Sequence, residues 1–558
     1  MKRFFTIVLL LISWFANAQN PPVNFPHLDS IEYGWGKAII ANETGQYYVT
    51  GETGYPAFYN GQPINSISGD KSGVFLAKFT EDGDLLWSVN EQSMSISTSN
   101  RVTSITLDNQ ENPIIGGYFE NYLSLDNKIV TPENGSIENT FIAKFQPDGT
   151  CLWIRRVHTP GVASQGRITS LSTDGQGNIY FGGNFAGTLT FGQHTIQNWG
   201  YSDNFWGKMD SSGNILWVDA AGSEMIERGV SVKADPNGNL YVLGSGTGDP
   251  EPTYVGDSLN INRGFVTKYS TTGQMEWLKT AQKGSFVSHP VVHERQINEK
   301  NGKVVITGEM FVENDTVEIA GLQLTIPTVN ENHGIGFAMM LDENGNGIWL
   351  NEIIKSTSGG KGKAVVFKSN GNIALTMYTP GGGGVIPNTQ DTISDGYYTE
   401  FYFTLNKQTG QVMNYFRPMQ PNPASGYGST HRMFSMTTRN DDILSTGYFT
   451  NELNGIKTLF IAKIDTTTLG VEEHTLNQVV FIVYPNPSKG VFYLESSDNL
   501  HFINNVEIYD ISGKQIFSHK PIIQDNKIRL DLSHLKTGIY FLRLRSGKSI
   551  VVKKLVIE

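Results

Sequence analysis

Along this chain apolar and polar positions alternate in short runs broken by Gly, Asn and Asp, and few long helix-forming runs appear. One element recurs as an aromatic run, a turn and a second run reaching Trp. It reads VFLAKFTEDGDLLW (Val74–Trp87), FIAKFQPDGTCLW (Phe141–Trp153), FWGKMDSSGNILW (Phe205–Trp217), FVTKYSTTGQMEW (Phe265–Trp277) and FAMMLDENGNGIW (Phe337–Trp349). A degenerate copy is YFTLNKQTGQVMNY (Tyr402–Tyr415), and a truncated one is LFIAKIDTTT (Leu459–Thr468). A second element sits between these copies: GQYYVTG (Gly45–Gly51), ENPIIGG (Glu111–Gly117), GNIYFGG (Gly177–Gly183), GNLYVLG (Gly238–Gly244), GKVVITG (Gly302–Gly308), GNIALTM (Gly371–Met377) and DDILSTG (Asp441–Gly447). The five Trp are 66, 64, 60 and 72 residues apart, so the pattern defines seven units of about 65 residues.

Each unit reads as four short strands. They are the run before the Gly-Asn turn, the Tyr/Val/Ile run ending in Gly, the Phe-x-x-Lys run, and a strand ending in Trp. Asp-Gly and Gly-Asn steps supply the φ > 0 residues that tight hairpins need. One four-stranded sheet cannot bury both faces, whereas sheets stacked around an axis bury them and leave short edges. The expected fold is all-β: a seven-bladed β-propeller over roughly 25–470, then a small antiparallel β-sandwich (Ig-like) C-terminal domain. Unit six departs from the pattern, with Leu405 for Lys, Asn414 for Trp and Met377 for Gly. Unit seven lacks a clear fourth strand, and residues around Phe25–Trp35 are expected to supply it and close the ring.

The propeller motif, Gly-Asn-x-Tyr-x-x-Gly followed by Phe-x-x-Lys-Phe-x-x-x-Gly-x-x-x-Trp, resembles the SBBP-type β-propeller repeat. That resemblance speaks to architecture and is almost silent on activity. In the last part of the chain, Val491–Leu494, Val506–Tyr509, Gln515–Phe517, Ile528–Leu532, Gly538–Arg545 and Ser549–Ile557 read as strands. The pieces YPNPSKG from Tyr484, IYDISGK (Ile508–Lys514), LSHLKTGIYFLRL (Leu532–Leu544) and the closing KKLVIE resemble the type A C-terminal sorting domain of the type IX secretion system of Bacteroidetes. The positions carrying the resemblance are Tyr484, Pro485, Asn486, Pro487, Gly490, Asp510, Gly513, Lys514, Leu535, Gly538, Tyr540, Lys553 and Lys554. It implies recognition by the type IX machinery in the periplasm, passage over the outer membrane, and release or attachment to surface lipopolysaccharide after cleavage near Leu469–Val479.

Composition sharpens this picture. Lys2 and Arg3, the apolar Phe4–Phe15 and the A-x-A site Ala16-Asn17-Ala18 read as a cleavable secretory signal over 1–18. No later stretch has the apolar length of a transmembrane helix. Residues 19–480 hold 29 Lys+Arg and 46 Asp+Glu, against 11 and 7 in 481–558. The shift marks a propeller over 19–469, a linker over 470–480 and the sorting domain over 481–558. The acidic balance argues against nucleic acid as a partner. The single Cys151 excludes an internal disulfide framework and reads as a small apolar strand residue.

Candidate chemistry is sparse. Lys78, Lys144, Lys208, Lys268 and Lys463 recur in the third strand. A cationic ring for an acidic glycan is one reading; outer strands guarded by Lys against edge pairing is the favoured one. The five Trp read as packing between units rather than as a sugar-stacking set. Asp342–Gly347 has the opening spacing of an EF-hand loop, but its twelfth position is Ile353, so it reads as a turn. No HExxH, no metal-ligand spacing and no nucleophile motif is present, and no cofactor is expected. Binding residues are expected where the units differ, at Ser68–Gly73, Gly246–Asp257 and Thr379–Tyr398, with Asp395, Tyr397 and Tyr398 as candidates. The expected protein is a secreted or surface-displayed binding or adhesion module for a glycan or protein. A polysaccharide hydrolase or lyase, or a purely structural surface protein, are the alternatives.

Overall fold

The computed structural model describes residues 29–464 and 481–557, less short connections, of which the longer are 66–71, 92–99, 133–137, 158–164, 225–229, 246–252, 288–295, 326–334, 417–430, 451–456 and 497–504, so that most of the expected binding loop Ser68–Gly73 lies outside the described residues. The expected signal at 1–18, the linker at 470–480, Asp395, Tyr397, Pro485, Pro487, Gly513 and Lys514 lie outside the described residues. Contacts divide the chain into two compact units, one up to residue 469 and one from residue 470.

All described elements of the first unit are strands; apart from short hairpins they form seven antiparallel sheets, each built on four strands in the order first-second-third-fourth. Unit one is Gly34–Ala41, Tyr47–Gly54, Ser72–Phe79 and Leu85–Asn90. Unit two is Arg101–Leu107, Pro113–Phe119, Asn139–Phe145 and Cys151–Val157. Unit three is Gln165–Thr173, Ile179–Ala186, Asp203–Met209 and Ile215–Gly222. Unit four is Val230–Ala234, Leu240–Ser245, Gly264–Tyr269 and Met275–Lys283. In unit five the first strand is split into Ser285–Val287 and Ile297–Lys300, followed by Lys303–Phe311, Ile335–Leu341 and Gly347–Ser356. Unit six is Lys361–Phe367, Ile373–Pro380, Tyr398–Leu405 and Val412–Phe416.

Unit seven contains His431–Arg439, Asp442–Thr450 and Lys457–Ile464, and its fourth strand is Asp29–Glu32 from the other end of the chain. Asp29 pairs with Ile461 and Glu32 with Thr458. The first strands touch one another in sequence, and the first strand of unit seven touches that of unit one, so the order is cyclic. Seven buried apolar clusters each span one junction between consecutive units. The core of this all-β, propeller-like unit therefore lies between sheets, as sheets that cannot bury both faces alone require.

Trp secures the junctions. The fourth strand starts just before its Trp and continues past it, rather than ending there. The indole N–H of Trp87 donates to Pro147 O (3.0 Å), that of Trp277 to Glu343 O (3.0 Å) and that of Trp349 to Lys407 O (3.3 Å), always on the third-to-fourth turn of the following unit. The same turn lays its glycine on the ring. Gly345 has φ of 76°, and a Cβ there would stand 2.8 Å from the Trp277 ring. Gly149, Gly273 and Gly410 meet Trp87, Trp217 and Trp349 in the same way. The next step around the ring explains why unit six has Asn414 at the Trp place. Unit seven receives its fourth strand from the N-terminal segment, so it has no third-to-fourth turn for a unit-six indole to hold.

The recurring Lys is not an edge guard. It lies in the third of four strands, between two paired neighbours, and Lys78, Lys144 and Lys208 are buried. Lys78 pairs in register with Tyr48 on one side and Trp87 on the other, and its Nζ stands 5.1 Å from the Tyr48 ring centroid. Its Nζ donates to the same Pro147 O that Trp87 holds (3.2 Å). Lys144 donates to Ser211 O (3.3 Å) and pairs with Asp108 at 2.8 Å. In unit six the register pairs Thr404 with Asn414 and Leu405 with Val412, so Thr404, not Leu405, occupies the Lys place. The longer turn there, closed by Asn406 N to Gln411 O (2.9 Å), shifts the sequence alignment by one residue.

The connections between second and third strands carry small hairpins that lean on the preceding unit. Thr253–Val255 with Ser258–Asn260 extends the sheet of unit three, and Thr316–Ile319 with Leu322–Thr325 extends that of unit four. Gly384–Ile386 with Asp391–Ile393 extends the sheet of unit five. The stretches Gly246–Asp257 and Thr379–Tyr398 thus contain edge-covering strands, which blunt an otherwise open row of backbone donors and acceptors. Tyr398 opens the third strand of unit six, opposite Pro380.

The second unit has two four-stranded sheets. One orders Phe481–Tyr484, Val491–Ser496, Lys527–Asp531 and Ile523–Gln524; the other orders Gln515–His519, Asn505–Asp510, Gly538–Ser546 and Ser549–Ile557. Its own core contains Phe492, Leu494, Ile508, Leu530, Leu542 and Leu555.

Two measurements check this account. Trp277→Ala should lower unfolding stability by about 3 kcal/mol, the range for truncating a large packed aromatic, while Asn414→Trp should give no gain; denaturant midpoints of both variants decide it. Burial works against the Asp108 charge, but hydrogen bonds from Lys144, Asn112 and Gln110 outweigh it and hold the carboxyl below its ordinary value of 3.8. Its contribution is therefore complete above that ordinary value and is lost as pH falls through the lower folded value. Asp108→Asn should destabilise at pH 7 and have a shrinking effect as pH drops below about 4, read from melts across pH.

Candidate functional site

A chain of charges lies where first strands begin and second strands end. In five units the first strand carries a bulge opposite the end of the second, with the register slipping between Gly36 and Ala38, Val102 and Ser104, Ile168 and Ser170, Gly362 and Ala364, and Met433 and Ser435. The extra residues are Lys37, Thr103, Thr169, Lys363 and Phe434. Bulges re-aim side chains. Two positions earlier stand Arg101, Arg167 and Lys361, in register with Tyr118, Asn184 and Tyr378.

Acids from second and third strands answer these cations. Arg101 Nη1 donates to Glu52 Oε2 at 2.8 Å, and Lys37 Nζ lies 3.6 Å from the same oxygen. Arg167 Nε and Nη2 donate to Glu138 Oε2 and Oε1 at 2.6 and 2.7 Å. Lys361 pairs with Glu309 at 3.8 Å, and Lys363 with Glu400 at 3.7 Å. Rings bridge the pairs. Arg167 lies 4.9 Å over Tyr118, Lys363 lies 4.8 Å over Tyr378, and Lys37 lies 4.9 Å over Phe434. Burial holds the Tyr118 phenol above its ordinary value, so it stays a hydrogen-bond donor. For Arg101, burial opposes the charge, and Glu52 overcomes it and raises the guanidinium further. The arrangement offers donors and acceptors side by side, which suits a hydroxyl-rich or charged ligand.

None of these residues stood out as a candidate from sequence. One signal was available: a residue two positions before the bulge recurs as a cation in Arg101-Val-Thr103, Arg167-Ile-Thr169, Lys361-Gly-Lys363 and Arg432-Met-Phe434. Elsewhere the candidates resolve otherwise. Asp342 Oδ1 accepts from the N–H of Asn344 (2.9 Å) and of Asn346 (2.8 Å), so the EF-hand-like stretch is a turn closed on its own carboxylate. Among the described residues no three His, Cys, Asp or Glu gather as a metal site. Cys151 is buried, and that burial pushes its thiol up to about 12, which leaves it protonated and inert.

In the second unit, pieces of the motif that are far apart in sequence come together. Val556 N donates to Asn486 Oδ1 (2.8 Å), and Ser488 N donates to Val556 O (3.0 Å). The YPNP segment thus holds the last strand from its outer edge. Gly490 has φ of 101°, a Cβ on it would stand 2.5 Å from Ser533 Cα, and its carbonyl accepts from Leu532 N (2.7 Å). Leu535 N donates to Leu532 O, closing the turn before Gly538. Tyr540 donates its hydroxyl to Lys536 O (2.8 Å) and pairs in register with Asp510. Tyr484 stacks on Tyr493 and receives a hydrogen bond from Lys527 (3.1 Å). Lys553 and Lys554 lie in the last strand, opposite Leu542 and Phe541.

The lead-in segment is thus clamped to the final strand. Residues 482–558 match the family described as secretion system C-terminal sorting domain, and they are a type IX secretion sorting domain. The chain is exported to the cell surface or secreted. No helix among the described residues is long and apolar enough to cross a membrane. A 209-residue stretch is 27% identical to an uncharacterized WD repeat-containing protein of Acanthamoeba polyphaga mimivirus, covering 33% of this chain and 14% of that protein. Among solved structures, polysaccharide lyase Uly1 is similar with a TM-score of 0.39 at 9% identity, covering 81% of this chain and 94% of that one. Trypanosoma rangeli sialidase reaches 0.31 at 9% identity over 85% and 86% of the two chains. PorZ, a surface component of the type IX secretion system of Porphyromonas gingivalis, reaches 0.18 at 9% identity over 95% and 100%. These scores are too low for any of those activities to pass to this chain.

Asn486→Ala should free the outer edge of the last strand. Hydrogen exchange at the Val556 amide should then rise by about fivefold, since a typical net hydrogen bond is worth about 1 kcal/mol; unchanged protection would refute the clamp.

Proposed function

We propose that this chain is an exported binding protein, in which the seven sheets are the blades of a seven-bladed propeller and the charged rim of its first strands holds a glycan or protein outside the cell. The observation that carries this reading is the alternation of cations, acids and rings from Glu309 through Lys363 and Lys37 to Arg167. Asp108 and Lys144 are spent on each other and on a turn and a junction. The rim charges instead gather at one end of the sheets, where side chains such as Arg101 and Arg167 remain about one-third exposed.

Tyr484, Asn486, Gly490, Asp510, Leu535, Gly538, Tyr540, Lys553 and Lys554 serve delivery. In this proposal they shape the surface read by the type IX machinery, with cleavage in the linker near 469–479 and attachment to lipopolysaccharide as the final state. Binding is tested with the full-length secreted protein on glycan and protein arrays, beside the double variant Arg167→Gln/Glu138→Gln, which removes both charges of one rim pair. Binding should be present and fall by about tenfold in the variant. Binding that ignores the variant would move the site off the rim. Depolymerisation of a polysaccharide, read as falling viscosity, would make the protein a hydrolase or lyase instead.

A further inference from the structure

We propose that the outer edge of the strand Cys151–Val157 in unit two is a strand-addition site, and that it takes an extended protein segment in which acidic and apolar residues alternate. It shares no residue with the charged rim.

The edge is the first observation. Cys151–Val157 pairs with Asn139–Phe145 on its inner side, and among the described residues no strand pairs with its outer side. In units three, four and five a hairpin strand of the following unit covers that place. Here the hairpin of Thr188–Phe191 and His194–Gln197 forms a sheet of its own instead. Asp126 Oδ2 accepts from Cys151 N (2.8 Å) and so caps the start of the strand. An open edge is a template for a further strand, whose backbone supplies affinity while pockets beside it choose the side chains.

Such pockets lie along this strand. Two cavities of about 530 and 660 Å³ are lined by it and meet at Arg155. The first has an apolar wall, in which Ile129 is 59% and Leu152 38% exposed, and it holds Lys128 beside Arg155. The second is lined by Arg155, Arg156 and His194. Neither has an Asp or Glu in its wall among the described residues. The carboxylate of the adjoining turn is used locally, since Asp210 Oδ1 accepts from Ser212 N and Asn214 N (2.9 Å each).

Arg155 is held in place for this role. Its stem lies on Gly213, where a Cβ would stand 2.9 Å from Cγ, and its guanidinium lies 5.6 Å from the Trp153 ring centroid. It donates from Nη2 to Ser212 O at 3.4 Å, which leaves N–H donors for a carboxylate. Along the strand Trp153 and Arg155 alternate with Leu152 and Ile154. An added strand also turns successive side chains to opposite faces, so one set of its residues meets the cation and the other the apolar wall. The acidic balance of 19–480, 29 Lys+Arg against 46 Asp+Glu, repels an acidic segment from most of this unit and leaves it the cationic groove.

The full-length protein is panned against a phage-displayed library of random octapeptides, and a selected peptide is measured by fluorescence anisotropy. Selected peptides should alternate Asp or Glu with Val, Ile or Leu. N-methylation of every second peptide amide should weaken binding by about tenfold or more in one phase and leave it nearly unchanged in the other, because only alternate amides of an added strand face the edge. Lys128→Gln/Arg155→Gln should weaken binding by about tenfold while keeping the melting temperature, since both side chains are exposed. Selection without acidic residues, affinity that ignores the double variant, or equal tolerance of N-methylation in both phases would overturn the proposal. Alginate binding that the double variant abolishes, with no acidic peptide selected, would make the groove a saccharide site and overturn it as well.

Discussion

The first unit depends on one repeated contact: an indole held against the next unit's turn. Trp sits early in the outer strand, where its N–H reaches a carbonyl of the following turn and its face covers that turn's glycine. The buried Lys of the third strand reinforces it, reaching the same carbonyl as Trp87 and lying against Tyr48. A buried ammonium is tolerable only when its protons are used, and carbonyls, Asp108 and aromatic faces use them here. Each contact needs two things from the neighbour, a turn and a glycine with positive φ. That is why the pattern lapses where the ring closes: the strand from Asp29 to Glu32 arrives without a turn before it.

This division of labour frees one end of the sheets. The end bearing the first-to-second and third-to-fourth turns is occupied by turn carboxylates, indoles and Lys. The other end carries the connecting hairpins, which cover outer edges, and the bulged first strands, which aim unlike side chains at one another. The repeated residues hold neighbouring units together wherever the next unit supplies a turn. The bulges carry unlike residues, and three of them reach the next unit's backbone: Thr103 donates to Ile168 O (2.6 Å), Thr169 to Val230 O (2.7 Å) and Lys363 to Met433 O (3.5 Å).

The same division explains what the sequence disclosed. The units were legible because their period is a packing requirement, and Trp and turn Gly must recur together. The sorting domain was legible as four short motifs, and the structure shows their physical bond: Asn486 to Val556, and Gly490 against Ser533. The role of Lys was misread because strand order within the sheet, which puts it inside, is not written in local pattern. Unit six was aligned one residue out because the Asn406–Gln411 turn is longer than the others. The rim was missed because its partners come from different units: Glu52 from unit one meets Arg101 from unit two, and Lys37 from unit one meets Phe434 from unit seven. Only the ring's closure brings units seven and one together.

Delivery and cargo are built to be independent. Each unit has its own apolar cluster, and the two carry opposite charge balances, 11 Lys+Arg to 7 Asp+Glu in 481–558 against the acidic remainder. Both parts of the chain rest on one device, a strand held by a segment remote in sequence: Asp29–Glu32 completes the sheet of unit seven, and Asn486 holds the last strand at Val556.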